Sequence, residues 1–249
     1  MTGLSIFLGG LRYKEQTFNK DSVGVSSTML IIAVVGLSLP TVYAATANST
    51  ATQIRLLSDA VGIVMAAIYV AGLVFAFFTH GHLFDASDEM NTVRVAPRLG
   101  KVSAVLVLLG STLVVTLQSE ILVRHVEDVA RTVGFTQTFI GVVVIATITN
   151  IAETVNSIRF ALEDRLDVAL EIALSSAIQI ALFVVPVLLL VSHASGYQFS
   201  LVFTTFDVAA VVFAVMIVNH LSADGRCNWL EGAQLMSVYA IIAIAFYFV

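Results

Sequence analysis

Polar side chains recur along one face of an apolar segment near the middle of the chain. They lie in TITNIAETVNS, residues 147–157, and are Thr147, Asn150, Glu153, Thr154 and Ser157. Residues spaced three and four positions apart share a face of an α-helix. A carboxylate inside a membrane helix raises the free energy of insertion, and such residues commonly mark ion or proton pathways. Glu153 is therefore the leading candidate for function.

A second polar stripe follows on the next apolar segment. Glu171, Ser175 and Gln179 recur every four residues, and Ser176 lies beside them. Counted from the connecting loop ALEDRLD, Glu153 and Ser176 lie about 9 and about 12 Å into their helices. The sequence therefore predicts two polar stripes that face each other at one level. Glu171 lies nearer the helix end, where Arg165 or water is an alternative partner.

These residue types favour a hard cation. Carboxylate, amide and hydroxyl oxygens suit Ca²⁺ or a similar divalent ion. A carboxylate that is removed from water can also take up a proton when the cation leaves. Alternate binding of cation and proton at Glu153 is a route to antiport. Because Ca²⁺ takes roughly six to eight oxygens, a second polar hairpin is expected from elsewhere.

Packing roles explain another part of the polar pattern. Serine, threonine and asparagine in membrane helices commonly form hydrogen bonds between helices, and this interpretation is preferred for Ser157. A functional role is preferred for Asn150 and Gln179, which flank the level of Glu153. Glu120 is a candidate accessory residue, with a surface ion pair to Arg124 one turn later as the alternative.

The elements that carry these stripes are long apolar runs. The chain has 249 residues, of which 58% are hydrophobic and only 12% are charged, an unusual balance for a soluble domain. About 20 apolar residues cross the hydrocarbon layer as an α-helix. The sequence therefore predicts an all-α, polytopic integral membrane protein with about seven transmembrane helices. They are placed at 26–46, 55–79, 100–123, 136–159, 168–192, 199–222 and 231–249.

The distribution of basic residues predicts the orientation of these helices. One set of alternate loops holds nine of the 12 Lys and Arg residues, and the other set holds three. Loops that stay in the cytoplasm retain basic residues. We therefore expect the first set to be cytoplasmic and the C-terminus to lie on the non-cytoplasmic side, with the cell membrane as the expected location.

Residues 80–99 form an acidic linker that is predicted to be cytoplasmic. Histidines and carboxylates are concentrated there, as His80, His82, Asp85, Asp88 and Glu89. A divalent cation is one interpretation of this cluster, but it contains no recognisable calcium loop. A solvated loop is the preferred interpretation.

Several classes of function do not fit the sequence. The single cysteine, Cys227, excludes an intrachain disulfide and a cysteine-based metal site. No phosphate-binding loop, Ser-His-Asp pattern or zinc spacing is present. We therefore expect no enzyme activity and no nucleic-acid partner, and no cofactor apart from the transported ions.

Three segments carry a resemblance to a known family. They are TNIAE at 149–153, RLDVALEIALSSAIQIALFVVP at 165–186 and ADGRCNWLEGAQLMSVYAIIAIAFYF at 223–248. The chain resembles calcium/proton exchangers of the calcium/cation antiporter superfamily. The family's signature Gly-Asn-Ala-Ala-Glu-His carries over to Asn150 and Glu153, and its Gly-Ser-x-x-Gln-Ile carries over to Ser176 and Gln179. The resemblance implies a sodium/calcium-exchanger-like inverted-repeat fold and proton-driven export of Ca²⁺ or a similar ion.

The chain departs from this family at four positions of the motifs. Thr149 replaces a glycine, Thr154 replaces the histidine, Ser175 replaces another glycine, and Glu171 stands where a small residue is usual. Thr149, Ser175 and Glu171 therefore join Glu120 as candidate accessory residues. The lost glycines are expected to stiffen the helix breaks, and the added acid to alter ion preference.

The resemblance also implies an incomplete first repeat. Residues 1–79 are expected to be a remnant of it, with a helix stub and two transmembrane helices, and residues 100–249 to be a complete second five-helix repeat. The leading hypothesis is a secondary active Ca²⁺/H⁺ antiporter in which Glu153 binds cation and proton alternately. Sodium/calcium exchange is a close alternative. The alternative from another class is a non-transporting membrane subunit or inactive fragment that requires a separate N-terminal half or forms a homo-oligomer.

Overall fold

The computed structural model describes residues 1–84, 100–134, 136–197 and 199–248. These residues are almost entirely helical, which confirms the predicted all-α class. They divide into two compact units. The first unit comprises Met1–Ala86 and Ile151–Ala240, and the second comprises Ser87–Asn150 and Ile241–Val249. Each unit is described by itself.

The described part of the chain contains a series of α-helices. In chain order they are α1 (Thr2–Tyr13), α2 (Lys20–Thr46), α3 (Ala51–Val74), α4 (Lys101–Val133), α5 (Gln137–Phe139), α6 (Ala146–Thr149), α7 (Ile151–Leu162), α8 (Leu166–Gln179), α9 (Val185–Ala194), α10 (Thr205–Leu221) and α11 (Trp229–Phe248). π-helical turns extend or join them at Phe75–Thr79, Ile140–Ile145 and Ile180–Val184.

Five of the described helical segments are long and apolar enough to cross a bilayer. They are Lys20–Thr46, Ala51–Thr79, Val102–Leu122, Leu166–Ala194 and Trp229–Phe248. A sixth span results if the helices on either side of Asn150 are counted together. All of them coincide with predicted apolar runs.

The predicted run at 199–222 begins too early. Its helix, α10, covers only Thr205–Leu221. Thr204 caps this helix, because its Oγ1 accepts a hydrogen bond from the Asp207 N–H while the Asp207 carboxylate accepts one from the Thr204 N–H. A reciprocal capping box of this kind marks a helix start within an apolar sequence.

Helix α4 is longer than the predicted run at 100–123. It continues without a break to Val133. The sequence contains neither glycine nor proline between residues 111 and 133, so nothing interrupts the helix there. Gly134 follows it with a positive φ of 76°, a conformation that glycine adopts readily.

The core of the first unit surrounds α8. This helix packs against α1, α2 and α7. Its Leu166, Ala169 and Leu174 are buried together with Val23 of α2 and Ala161 of α7.

A short antiparallel ribbon ties the beginning of the first unit to its end. Strand β1 (Glu15–Thr17) pairs with β2 (Arg226–Asn228), and Gln16 lies opposite Cys227. The buried Gln16 Nε2 donates hydrogen bonds to the Ala161 oxygen at 2.9 Å and to Asp164 Oδ1 at 2.8 Å. The ribbon thus holds the loop between α7 and α8, which positions both polar stripes.

The second unit is built around α4 and the helical segment before Asn150. Thr136 Oγ1 donates a 3.3 Å hydrogen bond to the Phe246 oxygen. The ring of Phe139 meets that of Tyr247 edge to face, with 5.8 Å between centroids. These contacts fix the start of the segment that ends at Asn150.

The predicted linker is described only at its beginning. His80 stacks on Phe75 with 4.1 Å between ring centroids. The remaining candidate metal ligands, the three acids at 85, 88 and 89, lie outside the described residues, and so does the side chain of His82.

Candidate cation and proton site

The helical segment that carries the first polar stripe is interrupted at Asn150. Helix α6 ends at Thr149 and α7 begins at Ile151, while Asn150 has φ −100° and ψ 18°. The π-helical turn Ile140–Ile145 precedes this break, and such turns are frequent at functional sites. The interruption therefore falls within the signature segment.

Asn150 and its neighbours in the second unit bond to their own helix. Asn150 Nδ2 donates a 2.8 Å hydrogen bond to the Ala146 oxygen. Thr149 Oγ1 donates one of 2.9 Å to the Ile145 oxygen. In the Asn150 bond the amide nitrogen is the donor.

Glu153 lies in the first turn of α7 and is half-buried. Its Oε2 is fully buried and has no hydrogen-bond partner among the described residues. A buried acceptor without a partner carries an uncompensated desolvation penalty. The positive end of the helix dipole offsets part of that penalty for a carboxylate in the first turn. Glu153 therefore presents an oxygen that a ligand can satisfy.

Ser157, one turn after Glu153, is committed to packing. Its Oγ shares a 2.8 Å hydrogen bond with Ser5 Oγ and donates another of 2.8 Å to the Ala169 oxygen of α8. This agrees with the packing role that the sequence indicated. Since α7 and α8 are adjacent and antiparallel, this bond sets Glu153 near the level of Ala173.

Ser176 lies on the side of α8 that faces α7. It follows Ala169 by seven residues, or two helical turns, and is half-buried. Its distance along the axis from the level of Ala173 is about 4.5 Å. Ser176 therefore lies on the same face of α8 as Ala169.

The rest of the second stripe faces a different helix. Ser26 Oγ of α2 donates to both carboxylate oxygens of Glu171, at 3.2 and 3.3 Å. Ser175 and Gln179 line a cavity together with Glu171 and residues of α2 and α3. Glu171 therefore faces α2, and the expectation that the whole stripe faces Glu153 is wrong for this residue. The physical reason is that Glu171 and Ala169 project from nearly opposite sides of α8.

Two further expectations concern the partners of Arg165 and Glu120. The Arg165 guanidinium lies over the Phe160 ring, 5.1 Å from its centroid, and Glu171 instead bonds to Ser26. Glu120 is exposed on α4 in the second unit. The expected pairing of Glu120 with Arg124 involves a side chain outside the described set.

Sequence reasoning missed the polar residues of α2 that meet α8. Ser26 contacts Glu171, and Asn19 and Ser22 line a cavity with it. Asn19, Ser22 and Ser26 are spaced three and four residues apart, so they share a face. This periodicity was available in NKDSVGVSS, but small hydroxyl residues in an apolar helix are usually attributed to packing.

These features define a multi-pass membrane protein with an interrupted helix beside a half-buried carboxylate. A family model described as sodium/calcium exchanger protein matches residues 103–248. The chain belongs to this family, as the resemblance of its motifs indicated.

Characterised proteins of similar sequence are named antiporters. The Ca(2+)/H(+) antiporter of Synechocystis sp. is 37% identical over 263 residues, which cover 99% of this chain and 70% of that protein. The Ca(2+)/H(+) antiporter ChaA of Bacillus subtilis is 37% identical over 249 residues, with 99% and 70% covered.

A solved structure shares the fold. The structure of native YfkE superimposes with a TM-score of 0.81 at 36% sequence identity, covering 100% of this chain and 70% of that one. A selenium-substituted form, described as the Ca2+/H+ antiporter protein YfkE, also gives a TM-score of 0.81. The helices described above are therefore arranged as in a member of the same class.

Proposed function

We propose that this protein exchanges Ca²⁺, or a similar divalent cation, for protons across a membrane, with Glu153 binding the two ions in turn. The antiporter names of the similar proteins support the exchange. The observation that carries the role of Glu153 is its buried Oε2, which has no hydrogen-bond partner in the described part of the chain.

The chemistry of such an oxygen explains why binding alternates. A buried carboxylate is stabilised by a bound cation or by protonation, and each of these removes the need for the other. Occupancy by Ca²⁺ and by a proton is therefore mutually exclusive at Glu153. When such a site opens alternately to the two sides of a membrane, the gradient of one ion drives transport of the other ion.

The remaining ligands are proposed to be neutral oxygens. Ser176 supplies a hydroxyl from the adjacent face of α8, and Asn150 precedes Glu153 by three residues in the chain. Among the described residues, no group of three His, Cys, Asp or Glu side chains is placed to hold a metal ion. Since Ca²⁺ takes roughly six to eight oxygens, we propose that a second polar segment completes the site. A separate N-terminal half or another copy of the chain is its proposed source.

The proposed test measures proton movement in proteoliposomes that contain this chain and a pH-sensitive dye. Addition of Ca²⁺ is expected to drive proton flux in the wild type if another copy of the chain completes the site, and Glu153→Gln is expected to abolish this flux without loss of insertion. No flux from the inserted wild type would indicate that a separate N-terminal half must be supplied. Glu163→Gln is the matched control, because Glu163 is an exposed carboxylate that pairs with Arg159 at 3.0 Å. Equal flux in wild type and Glu153→Gln would overturn the role of Glu153.

Sodium/calcium exchange is the second candidate, because the matching family model is described by that name. A Na⁺ gradient at constant pH distinguishes the two. Ca²⁺ uptake driven by Na⁺, together with no proton flux, would assign sodium as the counter-ion. The C-terminus is proposed to lie on the non-cytoplasmic side of the cell membrane, which a reporter fused there would test.

A further inference from the structure

Helix α8 carries a polar stripe on the side that faces α2. Asp167, Glu171, Ser175 and Gln179 recur every four residues along it. They therefore share one face of the helix. Glu171 is turned by about 200° from Ala169, which contacts Ser157 of α7. Glu171 thus lies on a different side of α8 from the one that meets α7.

Two cavities follow this stripe, and both are lined by Glu171 and Ser175. The first, of about 220 Å³, is also lined by Asp167 near the beginning of α8. The second, of about 280 Å³, extends to Gln179 at the end of that helix. Glu171 therefore lies where the two cavities meet.

Helix α2 presents polar groups along the opposite side of these cavities. Asn19 and Ser22 line the first cavity, and Ser26 lines the second. The Ser26 hydroxyl donates to both oxygens of the Glu171 carboxylate. In the described part of the chain, the residues lining the two cavities include no Lys, Arg or His. The charge of Glu171 therefore has a hydroxyl donor but no basic partner in either lining.

We propose that Glu171 is a proton-binding site between α2 and α8. A proton from water bonds to one carboxylate oxygen and gives the neutral acid, and its release to water restores the carboxylate. Carboxylates buried within membrane helices form such relays. A divalent cation is disfavoured, because among the described residues no group of three His, Cys, Asp or Glu side chains is placed to hold a metal ion. Participation of Glu171 in exchange rests on the proposed function, whereas proton binding does not.

Among the described residues, few other titratable groups lie around Glu171. Asp167 lines the first cavity and Tyr69 lines the second. Lys20 and Asp21 lie at the beginning of α2. Glu153 is on α7, against the other face of α8. Asp167 is the group nearest the helix beginning and is therefore the natural exchange point with water.

Infrared difference spectroscopy of the full chain in lipid tests this proposal directly. Spectra recorded at low and high pH contain the carbonyl stretch of each carboxyl group that takes up a proton. Glu171→Gln is expected to remove one component of this band, and Glu153→Gln is expected to leave that component in place. Glu163→Gln controls for loss of an exposed carboxylate. A band in Glu171→Gln identical to that of the wild type would overturn the proposal.

A second variant tests the hydrogen bond and does not remove the acid. Ser26→Ala is expected to shift the Glu171 component to higher frequency, because a carbonyl without a hydrogen-bond donor vibrates at higher frequency. An unshifted band would contradict the assignment of that component to Glu171. Ca²⁺ added to Glu153→Gln provides the remaining comparison. Loss of the Glu171 component on Ca²⁺ addition would show that a cation occupies the site, which would overturn proton selectivity there.

The proposals for Glu153 and Glu171 can fail separately. Unchanged flux in Glu153→Gln with a band that depends on Glu171 would overturn the former alone. Lost flux in Glu153→Gln with no band change in Glu171→Gln would overturn the latter alone.

Discussion

Ser157 Oγ on α7 donates a 2.8 Å hydrogen bond to the main-chain oxygen of Ala169 on α8, and both residues are fully buried. A side chain of one helix that bonds to the backbone of the next sets their axial register. This bond places Glu153 beside the α8 face that carries Ser176 and leaves Glu171 on the opposite side. Glu153 and Glu171 thus lie on different sides of α8.

The first prediction concerns this bond. Ser157→Ala removes the donor to Ala169 and the partner of Ser5 Oγ, and is expected to lower stability by about 1–3 kcal/mol. Thermal unfolding in detergent measures the change. Ser237→Ala is the matched control, because Ser237 is exposed and bonds only to the Ala233 oxygen of its own helix. Equal melting temperatures for the two variants would contradict the conclusion that this hydrogen bond sets the register of α7 and α8.

The second prediction concerns the close contact between α1 and α11. A Cβ on Gly232 would overlap the backbone nitrogen of Phe7, and neither backbone can yield without moving its helix. Gly232→Ala is therefore expected to destabilise the protein by about 1–3 kcal/mol through overpacking. Gly24→Ala on α2 is the comparison, because nothing lies within 4 Å of its added methyl group.

Gly24→Ala is expected to change stability in the opposite direction and to stabilise the protein. Alanine in an open helix interior restricts the unfolded chain, which stabilises the helix by about 0.5–1 kcal/mol. Melting temperatures of both variants against wild type give the answer. A rise in both would show that α1 and α11 can separate readily.

The third prediction concerns the single thiol. Burial raises the pKa of Cys227 to about 12, and the neighbouring carboxylates of Glu231 and Asp224 add to this. Because the thiolate is the reactive form, we expect maleimide to label the folded protein very slowly near pH 7 and rapidly after denaturation. Fast labelling of folded protein would contradict the burial of this strand.

The same shift predicts how stability depends on pH in alkaline solution. The ordinary pKa of the thiol is 9.0, below that of the folded state. Between these two values the folded protein binds more protons than the unfolded chain, so stability falls as pH rises. Cys227→Ser removes this thiol. The unfolding free energy of this variant should therefore decline less than that of the wild type over the same pH interval.

Sequence patterns predicted where the helices lie better than they predicted which helices contact one another. The run at 168–192 lies within a helical segment because apolar length alone determines a membrane helix. The spacing of Glu171, Ser175 and Gln179 showed that they share a face. It could not show which helix that face meets, because Ser26, the partner of Glu171, lies 145 residues away in the chain. The start of α10 was also missed, since hydropathy does not register the capping role of Thr204.

The last prediction links function at Glu153 to stability. An unsatisfied buried oxygen is destabilising, so Glu153→Gln, which removes the charge, is expected to raise the melting temperature of the cation-free protein. Functional sites commonly carry such a conflict between activity and stability. Ca²⁺ should stabilise the wild type by about 2.7 kcal/mol at roughly 100 times the dissociation constant, and should not stabilise Glu153→Gln.

Thermal unfolding with and without Ca²⁺ measures both effects, and Glu163→Gln serves as the control. This variant removes an exposed carboxylate and should keep the full response to Ca²⁺. A Ca²⁺ response that survives in Glu153→Gln would place the cation elsewhere in the protein. A lower melting temperature for cation-free Glu153→Gln would contradict this expectation. It would show that the Glu153 carboxylate of the wild type is stabilised in the folded state, because loss of an unsatisfied charge does not destabilise the fold.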